Sequence, residues 1–219
     1  MAERYRSVLL FGPPGVGKGT QGKLLGQIPG MFHLATGDIF RALDRESELG
    51  RQFLHYSSRG ELVPDDLTLR VWQDYMEKQI AAGEFNAHRD LLLLDGIPRS
   101  RKQATMIDEH VDVLRIIYLS CPDVDEMIQR MKRRARNEGR HDDADESVIR
   151  RRFDVFEKET APVLAHYPDE LVAEVNAVGS PAEVLHRILG VLVPIYKEHF
   201  GNPLGGEAAP SASSGAVAQ

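Results

Sequence analysis

The sequence predicts an α/β fold, a three-layer, doubly wound, parallel five-stranded sheet with helices on both faces. Three observations lead there. Short apolar runs alternate with longer stretches of helical periodicity along most of the 219 residues, the pattern of parallel strands joined by crossover helices. One run, Leu91-Leu92-Leu93-Leu94, is apolar at every position, as a strand covered on both faces must be. The first run, Val8 to Phe11, leads through Gly12-Pro13-Pro14-Gly15-Val16-Gly17-Lys18-Gly19-Thr20 into the helical start Lys23-Leu24-Leu25. Strand, glycine loop and helix in that order is the context of a phosphate-binding loop. In a doubly wound sheet that loop lies at the carboxyl ends of the strands, where ligands bind.

Taken in order, residues 6–12 form the first strand and 18–28 the first helix, which Pro29-Gly30 ends. Residues 31–35 read as a second short strand. Thr36-Gly37-Asp38 opens a helical pattern through Ile39, Phe40 and Leu43. A further helix runs through Leu49, Phe53, Leu54 and Tyr56 and stops at Arg59-Gly60. Glu61-Leu62-Val63-Pro64 is extended, because a residue before proline avoids the helical region. Asp65-Asp66 cap a long helix with Leu69, Trp72, Met76 and Ile80 on one face, ending at Ala82-Gly83. The third strand, 91–94, is closed by Asp95-Gly96. Ser100 caps a helix reaching His110, residues 113–120 are the fourth strand, and Cys121-Pro122-Asp123 opens a helix through Met127, Ile128 and Met131. A polar break at 139–144 precedes a single helix over 146–166. The fifth strand covers 171–176, and Ser180-Pro181 starts a last helix to Lys197.

Composition bounds the class. With 42% hydrophobic and 27% charged residues, the chain can build one domain with a full core, expected over residues 1–200. Residues 201–219, rich in Gly, Ala, Ser and Pro, read as a flexible tail. A net charge of −6 argues against a nucleic-acid partner. The single cysteine, Cys121, excludes an intrachain disulfide and fits a reducing, cytoplasmic compartment. The eight histidines are scattered without metal-ligand spacing. The N-terminal apolar run is shorter than a secretory core, and no run is long enough to span a bilayer, so no membrane association is expected.

The chemistry of the loop follows from its residues. Glycines let backbone N–H groups close around phosphate oxygens. The helix that follows adds partial positive charge and unpaired donors. Lys18 adds a full charge able to reach the outer phosphates. Arg41 and Arg99 each offer a planar fork to a phosphate dianion. Asp95, an acid at the end of an apolar strand beside such a loop, can hold waters of a Mg²⁺ shell.

Glycine rather than Ser or Thr follows the loop lysine, and the order Gly17-Lys18-Gly19-Thr20-Gln21 resembles the adenylate kinase family of nucleoside monophosphate kinases. Four further stretches match that family in order and spacing. They are Thr36-Gly37-Asp38-Ile39-Phe40-Arg41, Gly60-Glu61-Leu62-Val63-Pro64-Asp65, residues 93–103 around Asp95-Gly96-Ile97-Pro98-Arg99, and the basic region from Arg130 to Arg152 followed by Thr160-Ala161-Pro162. The likeness covers roughly residues 6–196. It implies an inserted acceptor-binding lobe near 36–65 and a short lid near 134–145, without the zinc staple of longer lids. The family usually has Phe where Ile97 stands.

The resemblance implies reversible transfer of the γ-phosphoryl of Mg·ATP to AMP, giving two ADP, by a monomer. ATP would be held by Gly12, Gly15, Val16, Gly17, Lys18, Gly19 and Thr20, with Arg130, Arg134 and Gly179. AMP would be held by Thr36, Gly37, Arg41, Glu61, Leu62 and Val63 on one side, and by Gly96, Arg99, Gln103, Arg140 and Arg152 on the other. Thr36 would bond near the base, and Leu62 and Val63 would sandwich it. Lys18, Arg99, Arg134, Arg140 and Arg152 are the expected catalytic cations, and Asp95 would organise Mg²⁺ through water. Arg151 and Arg152 compete for one role, since the spacing is about one residue longer than in close relatives; counting back from Thr160 selects Arg152. Lys132, Arg133, Arg136 and Arg150 read as a solvated helix face. Thr36 and Gln103 together favour AMP. UMP or CMP as acceptor is the alternative, and a catalytically weak nucleotide-binding regulator is the other. The acceptor phosphate, with a second pKa of about 6, is already anionic, so no general base is needed. Alignment and charge neutralisation then carry the reaction. Lobe and lid should close against water, and their opening should limit turnover.

Overall fold

The computed structural model describes residues 4–139 and 145–204. Five strands, β1 (Tyr5–Phe11), β2 (Met31–Ala35), β3 (Leu91–Asp95), β4 (Val111–Ser120) and β5 (Val172–Asn176), alternate with helices. All pair in parallel, in the order β2-β3-β1-β4-β5. The helices are α1 (Lys18–Leu25), α2 (Thr36–Arg41), α3 (Glu48–Ser57), α4 (Asp65–Ala81), α5 (Arg101–Ile107), α6 (Val124–Glu138), α7 (Glu146–Val155) and α8 (Pro181–His199). This is the doubly wound α/β architecture expected. The expected tail beyond residue 204 and the polar break over 140–144 lie outside the described residues.

The strand alternation sorts the core into two layers. Leu9, Phe11, Leu92 and Leu94 meet α4, α5 and the segment after α7 through Trp72, Met76, Ile107 and Val163. Their neighbours Val8, Leu10, Leu91 and Leu93 meet α1, α6 and α8 through Leu25, Met127, Ile188 and Leu192. All four leucines of β3 are fully buried, which accounts for the unbroken apolar run. A third, smaller cluster of Phe40, Leu67 and Val71, with Phe53 and Val63 against it, seats α2 and α3 on α4.

Several boundaries differ from expectation. The long helix predicted over 146–166 is three pieces: α7, one π turn (Phe156–Thr160) and a 3₁₀ segment (Ala161–His166). Pro162 has no N–H and its ring crowds the preceding turn, so a regular helix cannot pass it. The widened turn buries Phe156 and Thr160, and the Thr160 hydroxyl donates to the Arg99 carbonyl at 2.9 Å. Asp65 and Asp66 do not cap α4; Pro64 holds the cap position. The Asp65 carboxylate instead accepts from the Ser100 hydroxyl at 2.9 Å, and Asp66 pairs with Lys102. Ile80 leaves the core face and is 42% exposed. β4 begins at Val111, paired with Tyr5, and α5 ends at Ile107 rather than His110. Ser100, Asp123 and Ser180 cap α5, α6 and α8 with their side chains, Ser180 in a reciprocal box with Glu183. No helix among the described residues is long and apolar enough to cross a membrane.

Candidate active site

The loop between β1 and α1 takes its shape from glycines that no other residue could replace. Gly12 has φ +137°, and a Cβ there would lie 2.4 Å from the Leu119 carbonyl oxygen; Gly15, at φ +77°, would meet the Met127 carbonyl oxygen at 2.6 Å. The loop is thus pressed against β4 and α6. Gly17 occupies the N-cap of α1 in the left-handed region, with no side chain bonded to the helix end. The first N–H groups of α1 are left for an anion. Lys18 folds back, its Nζ donating to the carbonyls of Gly12 at 2.6 Å and Pro13 at 3.1 Å.

Two cavities open on either side of this lysine. The first is walled by α2, α3, the Gly60–Val63 segment, the turn after β3 and the π turn. The second lies between the loop, α6 and the turn from β5 into α8. Gly15, Val16, Gly17, Gly19 and Thr20 line the second, as do Asp95, Arg130, Arg134 and Gly179. Gly12, Thr36, Glu61, Leu62 and Val63 line the first, with Gly96 and Gln103. Gly37, Lys18, Arg41, Arg99 and Arg152 belong to both walls. Arg140 lies outside the described residues.

Individual side chains are already held. Thr36, the first residue of α2, donates its hydroxyl to the Gly96 carbonyl at 2.8 Å, with the Asp95 carbonyl at 3.2 Å. That engagement leaves only its lone pairs for a base, a narrower role than expected. Arg99 reaches back through Nε to the Gly96 carbonyl at 2.9 Å, and its backbone N–H donates to Gln103 Oε1 at 2.7 Å. Gln103, 2% exposed, keeps its amide donors. Arg41 pairs with Asp38 at 2.6 Å. Glu61 turns its carboxylate to Arg59 and Arg151, at 3.1 and 2.8 Å. Arg130 is braced by Glu126 at 3.0 Å. Lys132 and Arg150 both pair with Glu146, Arg150 on the exposed face expected of it and Lys132 half-buried rather than solvated; Arg133 pairs with Glu126 yet also borders the second cavity.

The electrostatics centre on Lys18. Burial lowers its pKa to about 8; Arg99, Arg152 and Arg134 push the same way, and the Asp95 carboxylate opposes them. Three guanidinium groups, from the turn after β3, from α7 and from α6, therefore act on one ammonium. A pocket with so much like charge is built for a polyanion.

The sequence reading missed several residues of these walls. In the first cavity they include Phe40, Phe53, Ser57, Phe156 and Thr160, read only as helix-forming, core or flanking positions. In the second, Gln21 is 3% exposed and donates through Nε2 to the Pro181 carbonyl at 3.0 Å, tying α1 to the start of α8. His33 lies behind the site, Nε2 4.0 Å from Asp95 Oδ2, its pKa lowered by burial. Periodicity could not have found these, since each owes its place to contacts between distant segments.

A phosphate loop on a parallel sheet, with two cavities meeting at a shared cationic wall, defines a nucleotide-dependent phosphotransferase of the monophosphate kinase class. Residues 10–172 match the family model described as adenylate kinase. The chain is 38% identical over 191 residues to the adenylate kinase of Kocuria rhizophila, covering 84% of this chain and 97% of that protein. It is 38% identical over 192 residues to the Bifidobacterium longum adenylate kinase, covering 84% and 98%, and 34% identical over 194 residues to that of Thermus thermophilus, covering 85% and 97%. The chain belongs to the adenylate kinase family.

Proposed function

We infer that the protein catalyses reversible phosphoryl transfer from Mg·ATP to AMP, giving two ADP. Family membership supports this reading and lends nothing to the alternatives, a UMP or CMP kinase or a weak nucleotide-binding regulator. The observation that carries the chemistry is the wall shared by both cavities. A donor in the second cavity and an acceptor in the first would bring their phosphates together beside Lys18, Arg41, Arg99 and Arg152.

In this reading the loop N–H groups and Lys18 hold the donor's outer phosphates, with Arg130 and Arg134 alongside. Arg41 exchanges its Asp38 partner for the acceptor phosphate, which Arg99 grips from the other side. Lys18, Arg99, Arg134 and Arg152 then neutralise charge that spreads over the transferring group. Because the acceptor phosphate is its own nucleophile, the protein's work is alignment and exclusion of water. The Asp95 carboxylate, 9% exposed and facing the donor cavity, is an oxygen donor of the type Mg²⁺ takes through water, and the ion would withdraw charge from the phosphates.

The acceptor lobe near 36–65 and the lid near 134–145 would close over both nucleotides, and their opening would set turnover; a crosslink that froze the lobe without slowing the reaction would refute this. Family likeness and the single cysteine support a cytoplasmic monomer. A coupled assay with Mg·ATP and AMP, UMP or CMP in turn tests the function. AMP should be the preferred acceptor by a wide margin; preference for a pyrimidine monophosphate, or no turnover, would overturn it.

A further inference from the structure

We propose that Arg187, an exposed residue of α8 that lines neither cavity, is a positioning residue for the donor's base. It holds the turn between β5 and α8 in the shape that leaves a carbonyl and an N–H for a ligand in the donor cavity. The inference rests on the phosphotransfer reading above and adds to it a residue that touches no substrate.

The turn, residues 177–180, has most of its main-chain groups committed. The Ala177 N–H donates to the Ser120 carbonyl at 2.8 Å, extending the pairing of β4 with β5. The Val178 N–H donates to Asn176 Oδ1 at 2.8 Å, and the Ser180 N–H to Glu183 Oε2 at 2.7 Å. The carbonyls of Asn176 and Val178 both accept from Nη1 of Arg187, at 2.9 and 2.7 Å. The Ala177 carbonyl and the polar groups of Gly179 have no partner among the described residues, and both residues line the donor cavity. A carbonyl and an N–H two residues apart offer one acceptor and one donor. They complement the edge of a 6-amino purine, where an amino group stands beside a ring nitrogen.

Arg187 decides how that pair is presented. One guanidinium nitrogen carries two N–H groups, so a single atom ties the last residue of β5 to the residue two further on and sets the bend between them. The far side of the turn is held as closely: Gly179, at φ +121°, has Glu183 Oε2 2.9 Å from where a Cβ would sit. Without Arg187 the two carbonyls turn to water, and the chain from Ala177 to Gly179 gains freedom that a bound base must remove. Two other roles are open to this arginine. If it only fastened the surface, its loss would change stability and leave both substrates' KM alone. If it only added positive charge, its loss would weaken every polyanion in the donor cavity alike.

The test compares the full chain as wild type and as Arg187→Met, which keeps the apolar stem and removes the donor. The measurements are kcat, KM for Mg·ATP, KM for AMP, and the inhibition constant of tripolyphosphate, a donor fragment without a base. The variant should raise KM for Mg·ATP about three- to tenfold, the size of one hydrogen bond to the base. The other three quantities should stay within about twofold. An unchanged KM for Mg·ATP, or a parallel rise in the tripolyphosphate constant or in KM for AMP, overturns the proposal. Failure of the wild type to turn over Mg·ATP and AMP would instead overturn the function on which it rests.

Discussion

Arg151 and Glu61 form an ion pair at 2.8 Å that joins α7 to the segment walling the acceptor cavity, while the adjacent Arg152 turns its side chain into both cavities. Adjacent positions on a helix point about 100° apart, so Arg151 meets Glu61 while Arg152 lines the cavities. Gly60 completes the contact: a Cβ there would meet the Val148 carbonyl oxygen at 2.9 Å and Arg152 Cγ at 3.1 Å.

That division of labour predicts unequal costs. Arg152→Ala should lower kcat by about 10²- to 10³-fold, the usual loss for one donor aimed at developing charge. Arg151→Ala should cost no more than about fivefold, because an exposed pair contributes only about 0.2–1 kcal/mol. The small effect should fade in high salt. Steady-state kinetics of both variants, with Glu61→Ala to close a double-mutant cycle, checks this; equal losses would contradict the assignment.

Arg99 is braced through its backbone by Gln103 and Thr160, and through Nε by Gly96. Removing its side chain leaves both backbone contacts in place. Arg99→Ala should therefore keep its melting temperature within a few degrees while kcat falls by about 10²-fold or more. Near-normal turnover in a folded variant would remove Arg99 from the chemistry.

Lys18 should make nucleotide binding pH-dependent. Its pKa in the ligand-free protein is about 8, against an ordinary 10.5, because burial disfavours the ammonium. A bound triphosphate favours the charged form and raises that pKa. Binding should then take up a proton above pH 8, approaching about one per site, and weaken as pH rises through 8. Calorimetry at pH 7 and 8.5 in buffers of different ionisation enthalpy measures the uptake; Lys18→Met should abolish the increment. The same shift acts on stability. Between pH 8 and 10.5 the unfolded chain holds more protons at this residue, so its contribution rises with pH there. Below that window both states are charged, and the burial cost counts in full.

The phosphate loop should tolerate no side chain at Gly12. With φ +137° and the Leu119 carbonyl oxygen 2.4 Å from where a methyl group would sit, Gly12→Ala combines backbone strain with a clash against β4. It should cost at least about 1–3 kcal/mol of stability. Denaturant unfolding reads this directly, and an unchanged midpoint would show that the loop can move off β4.

Much of the fold was legible because its signals are local. The β3 leucines announce a strand covered on both faces, and the Ser100 and Ser180 caps announce two helix starts through hydrogen bonds that span three residues. The π turn was not legible. Pro162 warns of a break, but the widening depends on Thr160 meeting the Arg99 carbonyl, a partner sixty-one positions away. Ile80 likewise fits the periodic stripe of α4, yet the packed helix leaves it 42% exposed.

By itself the sequence determined the alternation of strands and helices, the glycine loop and the supply of cations, since these rest on periodicity, backbone freedom and residue type within short windows. Only the tertiary structure decided which cations share one wall, that Arg151 pairs with Glu61, and that α3 lends Phe53 and Ser57 to the acceptor cavity. Those outcomes depend on how far each helix is rotated when its apolar face packs on the sheet. That rotation is set by partners distant in the chain, and no local pattern encodes it.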